Sequence, residues 1–179
     1  MAYELLIKNA KTRENGNNLV DIAIEKGKIA KVAPKVEGDA AKVIDAAGKL
    51  VTGSFINGHL HLCKVYTLAM MDDEAISAYT DGEMGGAMTA IELAAKVKEK
   101  YDEKWIIQNV RKALDLAVRY GNTHIRAFAD TDTTGKLEGV KALIKAREEY
   151  KGRVEVQVVA FPQDGVVRDP GAEGYVEEA

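Results

Sequence analysis

From residue 50 onward the chain alternates short apolar segments with longer segments of helical period, and this alternation restricts the fold more than any other feature of the sequence. Leu50 to Ile56 reads as an apolar strand that runs into Asn57, Gly58 and the His59-Leu60-His61 segment, and the stretch that follows, to about Gly86, has no clear period and reads as a loop. Met88 to Lys100 and Glu103 to Arg119 carry apolar residues at helical spacing, among them Ile106, Val110, Leu114, Ala117 and Val118, and Gly121 is placed to stop the second helix. Thr123 to Ala129 reads as a strand, Leu137 to Tyr150 as a helix and Val154 to Phe161 as a third strand. Gly171 to Ala179 looks like the opening of a further helix. Strands that alternate with helices predict parallel βα units joined by right-handed crossovers, an α/β fold.

The first fifty residues follow a different rule. Val20, Ile22 and Ile24 alternate with Asp21 and Ala23, Lys26 and Gly27 supply a tight turn, and Ile29 and Val32 follow, which is the pattern of a hairpin. Val43 and Ile44 begin another strand, interrupted by Gly48. The sequence therefore divides into a small β module over residues 1–50 and an α/β region over residues 51–179.

Composition removes several classes of function. With 46% hydrophobic residues, 30% charged residues and three prolines, the chain has the make-up of an ordered globular protein. A formal net charge of -3 offers no basic field for phosphate backbones or anionic membranes, so neither nucleic acid nor a membrane surface is an expected partner. The mixed lysine and glutamate run from Lys96 to Lys104 reads as a solvated helix face. Cys63 is the only cysteine, which excludes an internal disulfide and fits a reducing, cytoplasmic setting. The opening residues do not make a signal peptide, and no apolar run approaches the ~18 residues needed to span a bilayer.

Few residues can carry chemistry. His59 and His61 are two apart at the end of an apolar strand, so both side chains leave the same face and lie within reach of one ion. Alone the pair reads equally as surface or satisfied core histidines, because a catalytic metal takes three or more protein ligands and the only other histidine is His124. His124 falls at the start of the second strand and has no expected catalytic role. Cys63 has no paired base and reads as a packed, inert thiol. Asp130 and Asp132 follow the end of the second strand, where they are either supporting polar groups or ordinary loop carboxylates.

The segment Val51-Thr52-Gly53-Ser54-Phe55-Ile56-Asn57-Gly58-His59-Leu60-His61-Leu62 resembles the first-strand signature of the amidohydrolase superfamily. Upstream, Leu6 to Ala10, Val20 to Ile29 and Val43 to Val51 are similar to the β module that precedes the barrel there. Further on, Tyr120 to Arg126, Asp130 and Val156 to Gly165, with its Phe161-Pro162-Gln163 run, resemble the cytosine deaminase branch. Two positions depart from that branch: Cys63, followed by Lys64, stands where relatives commonly have an aspartate, and Phe128 stands where the branch often has a histidine.

The resemblance implies a partial (β/α)8 TIM-type barrel, about the first three βα units, preceded by the small β module. A closed barrel needs ~250 residues, and roughly 130 follow the module here. It implies one divalent metal, zinc or iron, held by His59 and His61 in a site incomplete without later strands, and Gln163 as a substrate-binding residue. No residue of this chain is assigned a catalytic role. The implied reaction is hydrolysis at a carbon–nitrogen bond of a cyclic amide or amidine such as cytosine, in which metal-bound water attacks the ring carbon. The short chain is expected to be inactive alone. Two alternatives stand beside this reading: a non-catalytic half-barrel that needs a partner, as a homo-oligomer or with a complementing C-terminal chain, and a hydrolase of a different cyclic amide or ureide.

Overall fold

A computed structural model describes residues 2–71, 73, 76, 77 and 95–179, and the chain divides into two compact units, Met1–Gly53 and Ser54–Ala179. The first unit is a four-stranded sheet in the order β3-β2-β1-β4, formed by β1 (Tyr3–Ala10), β2 (Val20–Glu25), β3 (Lys28–Ala33) and β4 (Ala40–Asp45). The strands β1, β2 and β3 pair antiparallel, whereas β4 runs parallel to β1. Lys26 and Gly27, the two residues between β2 and β3, both have positive φ, 53° and 69°. Two successive left-handed residues form the tight turn whose twist matches that of the flanking strands, and glycine adopts it without steric cost.

Alternation along β2 serves both faces of this sheet. Val20 and Ile22 pack with Ala10 and Ala46 on one side, and Ala23 packs with Leu6 and Val36 on the other. Between them the buried Asp21 carboxylate accepts hydrogen bonds from the Asn9 N–H at 3.0 Å and the Val36 N–H at 3.1 Å. The carboxylate thereby satisfies backbone donors that would otherwise be buried without partners.

In the second unit, β5 (Phe55–Leu60), β6 (Asn122–Asp130) and β7 (Glu155–Phe161) form a parallel sheet in the order β5-β6-β7. Helices α1 (Glu103–Arg119), α2 (Glu138–Glu149) and α3 (Ala172–Glu178) accompany it, so the architecture is mixed α/β. Asp102 caps α1 by accepting from the Lys104 N–H at 2.7 Å. The buried stripe Ile106, Val110 and Leu114 packs in one core with Ile125, Ala127 and Ala129 of β6 and with Val140, Leu143 and Ala146 of α2. Alternate β6 residues therefore face the helices, and His124, Arg126 and Phe128 lie on the opposite face of the sheet.

Two sequence expectations change in the structure. The first strand of the α/β region is Phe55–Leu60, not Leu50–Ile56. Its apolar start belongs to the β module: the Val51 N–H donates to the Lys11 carbonyl at 2.8 Å, and the Val51 side chain packs against the cluster of Ala10, Val20, Ile22 and Ala46. A run of hydrophobic residues does not record which core will bury it. The loop expected up to Gly86 is described through Met71, where it holds 3-10 turns at Leu62–Lys64 and Thr67–Met70; most of its remainder and most of the helix expected from Met88 lie outside the described residues, and the described end of that helix, Lys96–Lys100, is a 3-10 turn.

Gly139, in the first turn of α2, marks where that helix approaches the end of β5 most tightly. A Cβ added there would stand 3.0 Å from the Cys63 Cβ. Glycine is otherwise a poor helix residue, and here its missing side chain permits the approach. Gly139→Ala is expected to lower unfolding stability by about 1–3 kcal/mol in urea denaturation, since overpacking outweighs the better helix propensity of alanine; unchanged or higher stability would show that α2 moves away freely.

Candidate functional site

The parallel register brings three strand ends together. Leu60 pairs with Ala127, and Asp130 pairs with Phe161, so the residues leaving β5, β6 and β7 converge. The β5–β6 register shifts between Asn57 and Leu60, where the Asn57 carboxamide oxygen accepts from the His59 N–H at 3.2 Å. Leu60 packs on the helix-facing core, and the rings of His59 and His61 turn toward Phe128 and Phe161. His59 stacks on Phe128 with centroids 4.3 Å apart, and His61 meets Phe161 edge-on at 5.1 Å.

The two Nε2 atoms stand 3.3 Å apart. This distance suits an N–H···N hydrogen bond, and it also suits joint ligation, since two nitrogens each ~2.0–2.1 Å from a tetrahedral ion lie about 3.3–3.4 Å from each other. Burial, with a smaller contribution from the Lys64 ammonium, holds the His61 pKa below its ordinary value and favours the neutral ring a metal requires; Asp130 opposes the shift. The pair thus fits two positions of a metal site. No group of three His, Cys, Asp or Glu residues able to hold a metal occurs among the described residues.

Behind the histidines sits Asp130, the last residue of β6, fully buried. Its Oδ2 accepts from the Tyr101 hydroxyl at 3.0 Å, and its Oδ1 lies 3.0 Å from Lys64 Nζ. That second contact is an ion pair without hydrogen-bond alignment, which leaves Oδ1 and the equally buried His61 Nδ1, 4.0 Å away, without a hydrogen bond. A donor ring nitrogen facing a carboxylate is the arrangement that fixes the tautomer of a metal-binding imidazole, although 4.0 Å is too long for a direct bond. Burial, then the nearby Cys63 and Asp130, raise the Tyr101 pKa well above its ordinary value, so the phenol stays protonated and donates.

A 3-10 turn, Leu62–Lys64, follows His61 and sends neighbouring side chains in opposite directions. Cys63 turns into the core, where its thiol accepts from the Asp130 N–H at 3.4 Å. Lys64 reaches across the strand ends, and its Nζ donates to Gln163 Oε1 at 2.9 Å. Gln163 is exposed in the loop after β7. The adjoining Asp164 is held by Lys98, whose Nζ donates to Asp164 Oδ2 at 2.9 Å and to Asp132 Oδ2 at 2.8 Å. Burial works to lower the Lys98 pKa, but the two carboxylates outweigh it and the ammonium is favoured.

Sequence reasoning leaves Asp130 and Asp132 open between supporting groups and loop carboxylates. Both are buried and bonded, Asp132 also accepting from the Thr134 and Gly135 N–H groups at 3.1 and 2.7 Å. His124 stands apart, exposed at the start of β6 with its Nδ1 2.9 Å from the Thr123 hydroxyl. Lys64, Lys98 and Tyr101 receive no role from sequence alone. Lys98 and Tyr101 lie in or beside a lysine-rich run that reads as solvated, and only the loops folded over them reveal their partners.

The sequence matches the amidohydrolase family over residues 42–177, and the chain belongs to that family. Over 177 residues it is 29% identical to an N-isopropylammelide isopropyl amidohydrolase of Pseudomonas sp. (strain ADP), covering 99% of this chain and 43% of that protein. A solved N-isopropylammelide isopropylaminohydrolase from Burkholderia multivorans superposes with a TM-score of 0.70 at 27% identity, covering 99% of this chain and 42% of that one. A 5-methylcytosine deaminase from Klebsiella pneumoniae, liganded with 5-fluorocytosine, gives 0.73 at 22% identity over 95% of this chain and 39% of that one, a likeness of fold. The chain spans about two fifths of the length of these relatives.

Cys63 offers a direct check on the packing behind the site. It is 1% exposed, and burial, reinforced by the Asp130 charge, pushes its pKa up to about 12. Relative to an ordinary thiol, the thiolate fraction at neutral pH falls by roughly 10³-fold. Iodoacetamide is expected to label Cys63 at least ~100-fold more slowly in the native protein than in urea, as followed by intact mass; comparable rates would mean that the turn after His61 opens freely.

Proposed function

We propose that the chain forms part of a metal-dependent amidohydrolase of the deaminase type, with His59 and His61 as two ligands of one divalent ion, zinc or iron. The observation that carries this reading is the 3.3 Å approach of the two Nε2 atoms at the end of a parallel strand. The bound ion would supply a hydroxide nucleophile at neutral pH. This chain's residues have narrower tasks: His59 and His61 present neutral nitrogens, Phe128 and Phe161 wall the rings, and Gln163 orients a cyclic amide or amidine such as cytosine. In this reading, residues 1–50 are the β module that accompanies the barrel. Residues 51–179 supply about the first three βα units of a (β/α)8 barrel, with the strand face bearing His124, Arg126 and Phe128 turned inward. The remaining ligands and the groups that move protons come from later strands, supplied in the same protein or by a complementing chain. The setting is cytoplasmic and the partner a small molecule.

A second reading within the same family is hydrolysis of a different cyclic amide or ureide. It is supported by 32% identity over 123 residues to a dihydroorotase of Elusimicrobium minutum, covering 67% of this chain and 27% of that protein. A non-catalytic half-barrel that requires a partner is supported by Phe55 and Ile56 of the outer strand β5, which are 59% and 71% exposed.

Zinc titration by calorimetry, with ammonia release from cytosine and related cyclic amides measured in parallel, tests the proposal. The 179-residue chain is expected to bind one zinc weakly, His59→Ala and His61→Ala each weakening it about tenfold or more, with no ammonia released. Zinc binding unaffected by both substitutions would sink the metal assignment, and sustained turnover by this chain would refute its incompleteness.

A further inference from the structure

We infer that Lys64 sets the hydrogen-bonding polarity of the Gln163 site, so that the site selects a ring whose facing edge carries only acceptors: carbonyl oxygens flanking a deprotonated ring nitrogen. The inference rests on the reading of Gln163 as a substrate-binding residue and names the class of substrate edge it takes. A glutamine side chain ordinarily offers an acceptor oxygen beside two donor hydrogens, the complement of a neutral amide edge with N–H next to C=O. Here the oxygen is engaged, because Lys64 Nζ donates to Gln163 Oε1 at 2.9 Å. A lysine ammonium has three donors and no acceptor, so it can bond only the oxygen of the carboxamide, and the orientation of the amide follows.

The lysine is itself anchored. Its Nζ lies 3.0 Å from Asp130 Oδ1, and that carboxylate is fully buried at the end of β6 with its other oxygen held by Tyr101 at 3.0 Å. Swinging Lys64 away would leave a buried charge without its cation, an unfavourable state. The second lone pair of Gln163 Oε1 remains, but a substrate N–H approaching it would point its positive end toward the ammonium. What Gln163 and Lys64 present is therefore the Gln163 NH2 group and the ammonium N–H groups not given to Gln163, all donors. Lys98, holding the adjoining Asp164 at 2.9 Å, ties down the loop that carries Gln163.

Two six-membered rings separate the alternatives: the monoanion of cyanuric acid, whose deprotonated edge is acceptors throughout, and neutral uracil, whose amide edges interleave N–H with C=O. Binding to the zinc-loaded 179-residue chain is followed by NMR through the Gln163 side-chain amide resonances. The wild-type chain is expected to bind cyanurate about tenfold more tightly than uracil, the effect of one mismatched hydrogen bond. Lys64→Met should tighten uracil about fivefold or more, because Gln163 can then accept as well as donate; mere loss of positive charge would weaken cyanurate without any gain for uracil. Where Lys64→Met leaves Asp130 too costly to bury, Lys64→Met combined with Asp130→Asn removes both charges and should show the same uracil gain. Equal wild-type affinities for the two rings, or a uracil affinity unmoved in both variants, overturns the role of Lys64 alone. If neither ring shifts the Gln163 amide in any of the proteins, Gln163 does not bind substrate, and the reading beneath the inference falls with it.

Discussion

A carboxylate buried without solvent has to be met by partners, and Asp130 imposes that requirement on the end of the α/β unit. Tyr101, ahead of α1, turns its hydroxyl to Oδ2, and Lys64, in the turn after β5, brings its ammonium to Oδ1. The Asp130 backbone N–H is bound by the Cys63 thiol. Two segments far apart in sequence, the turn after β5 and the residues ahead of α1, are thereby referred to one point at the end of β6. The desolvation of a carboxylate is large enough that these partners cannot be given up singly, so the fixed positions of the surrounding side chains follow from it.

The geometry of the histidine pair depends on the same point. The rings of His59, in β5, and His61, just past its end, turn toward Phe128 and Phe161, and the turn that carries Lys64 to Asp130 begins immediately after His61. The rings are held between Phe128 and Phe161, whose positions come from the β6–β7 register. Parallel strands end at one level, and the loops that follow them present side chains to a common space; ligand sites in α/β folds collect there for that reason. The buried ammonium of Lys98 extends the arrangement outward by joining the loops after β6 and β7 through Asp132 and Asp164.

These features agree with membership of the amidohydrolase family, and they give this chain a character of its own within it. Phe128 lies against both histidine rings, with centroids 4.3 Å from His59 and 5.7 Å from His61. Cys63 and Lys64, adjacent in the turn after β5, turn a buried thiol into the core and a cation across the strand ends. The cation does not stand free; it neutralises one side chain and orients another. Lys64, Asp130 and Gln163 thereby link three different strand ends beside the histidines.

Much of this architecture is legible in the residues. The Lys26-Gly27 turn, the α1 stripe of Ile106, Val110 and Leu114 and the succession of β6, α2 and β7 follow from periodicity and turn chemistry, because local patterns record which face of an element is buried. The two-residue spacing of His59 and His61 predicts that both rings leave one face of a strand; the strand ends at Leu60, and His61 opens the turn that follows it with its ring still beside that of His59. What sequence could not decide is which core claims an apolar run: Leu50 and Val51 read as part of β5, yet the β module buries Val51. Nor could it show that Asp130 and Asp132 are buried, that Lys98 leaves a solvated-looking run to join two carboxylates, or that the Gln163 oxygen is taken by Lys64. Those outcomes belong to tertiary structure for one physical reason. Local chemistry fixes what a side chain can donate or accept, but its partner is chosen by chain segments thirty to a hundred residues distant that only folding brings within 3 Å.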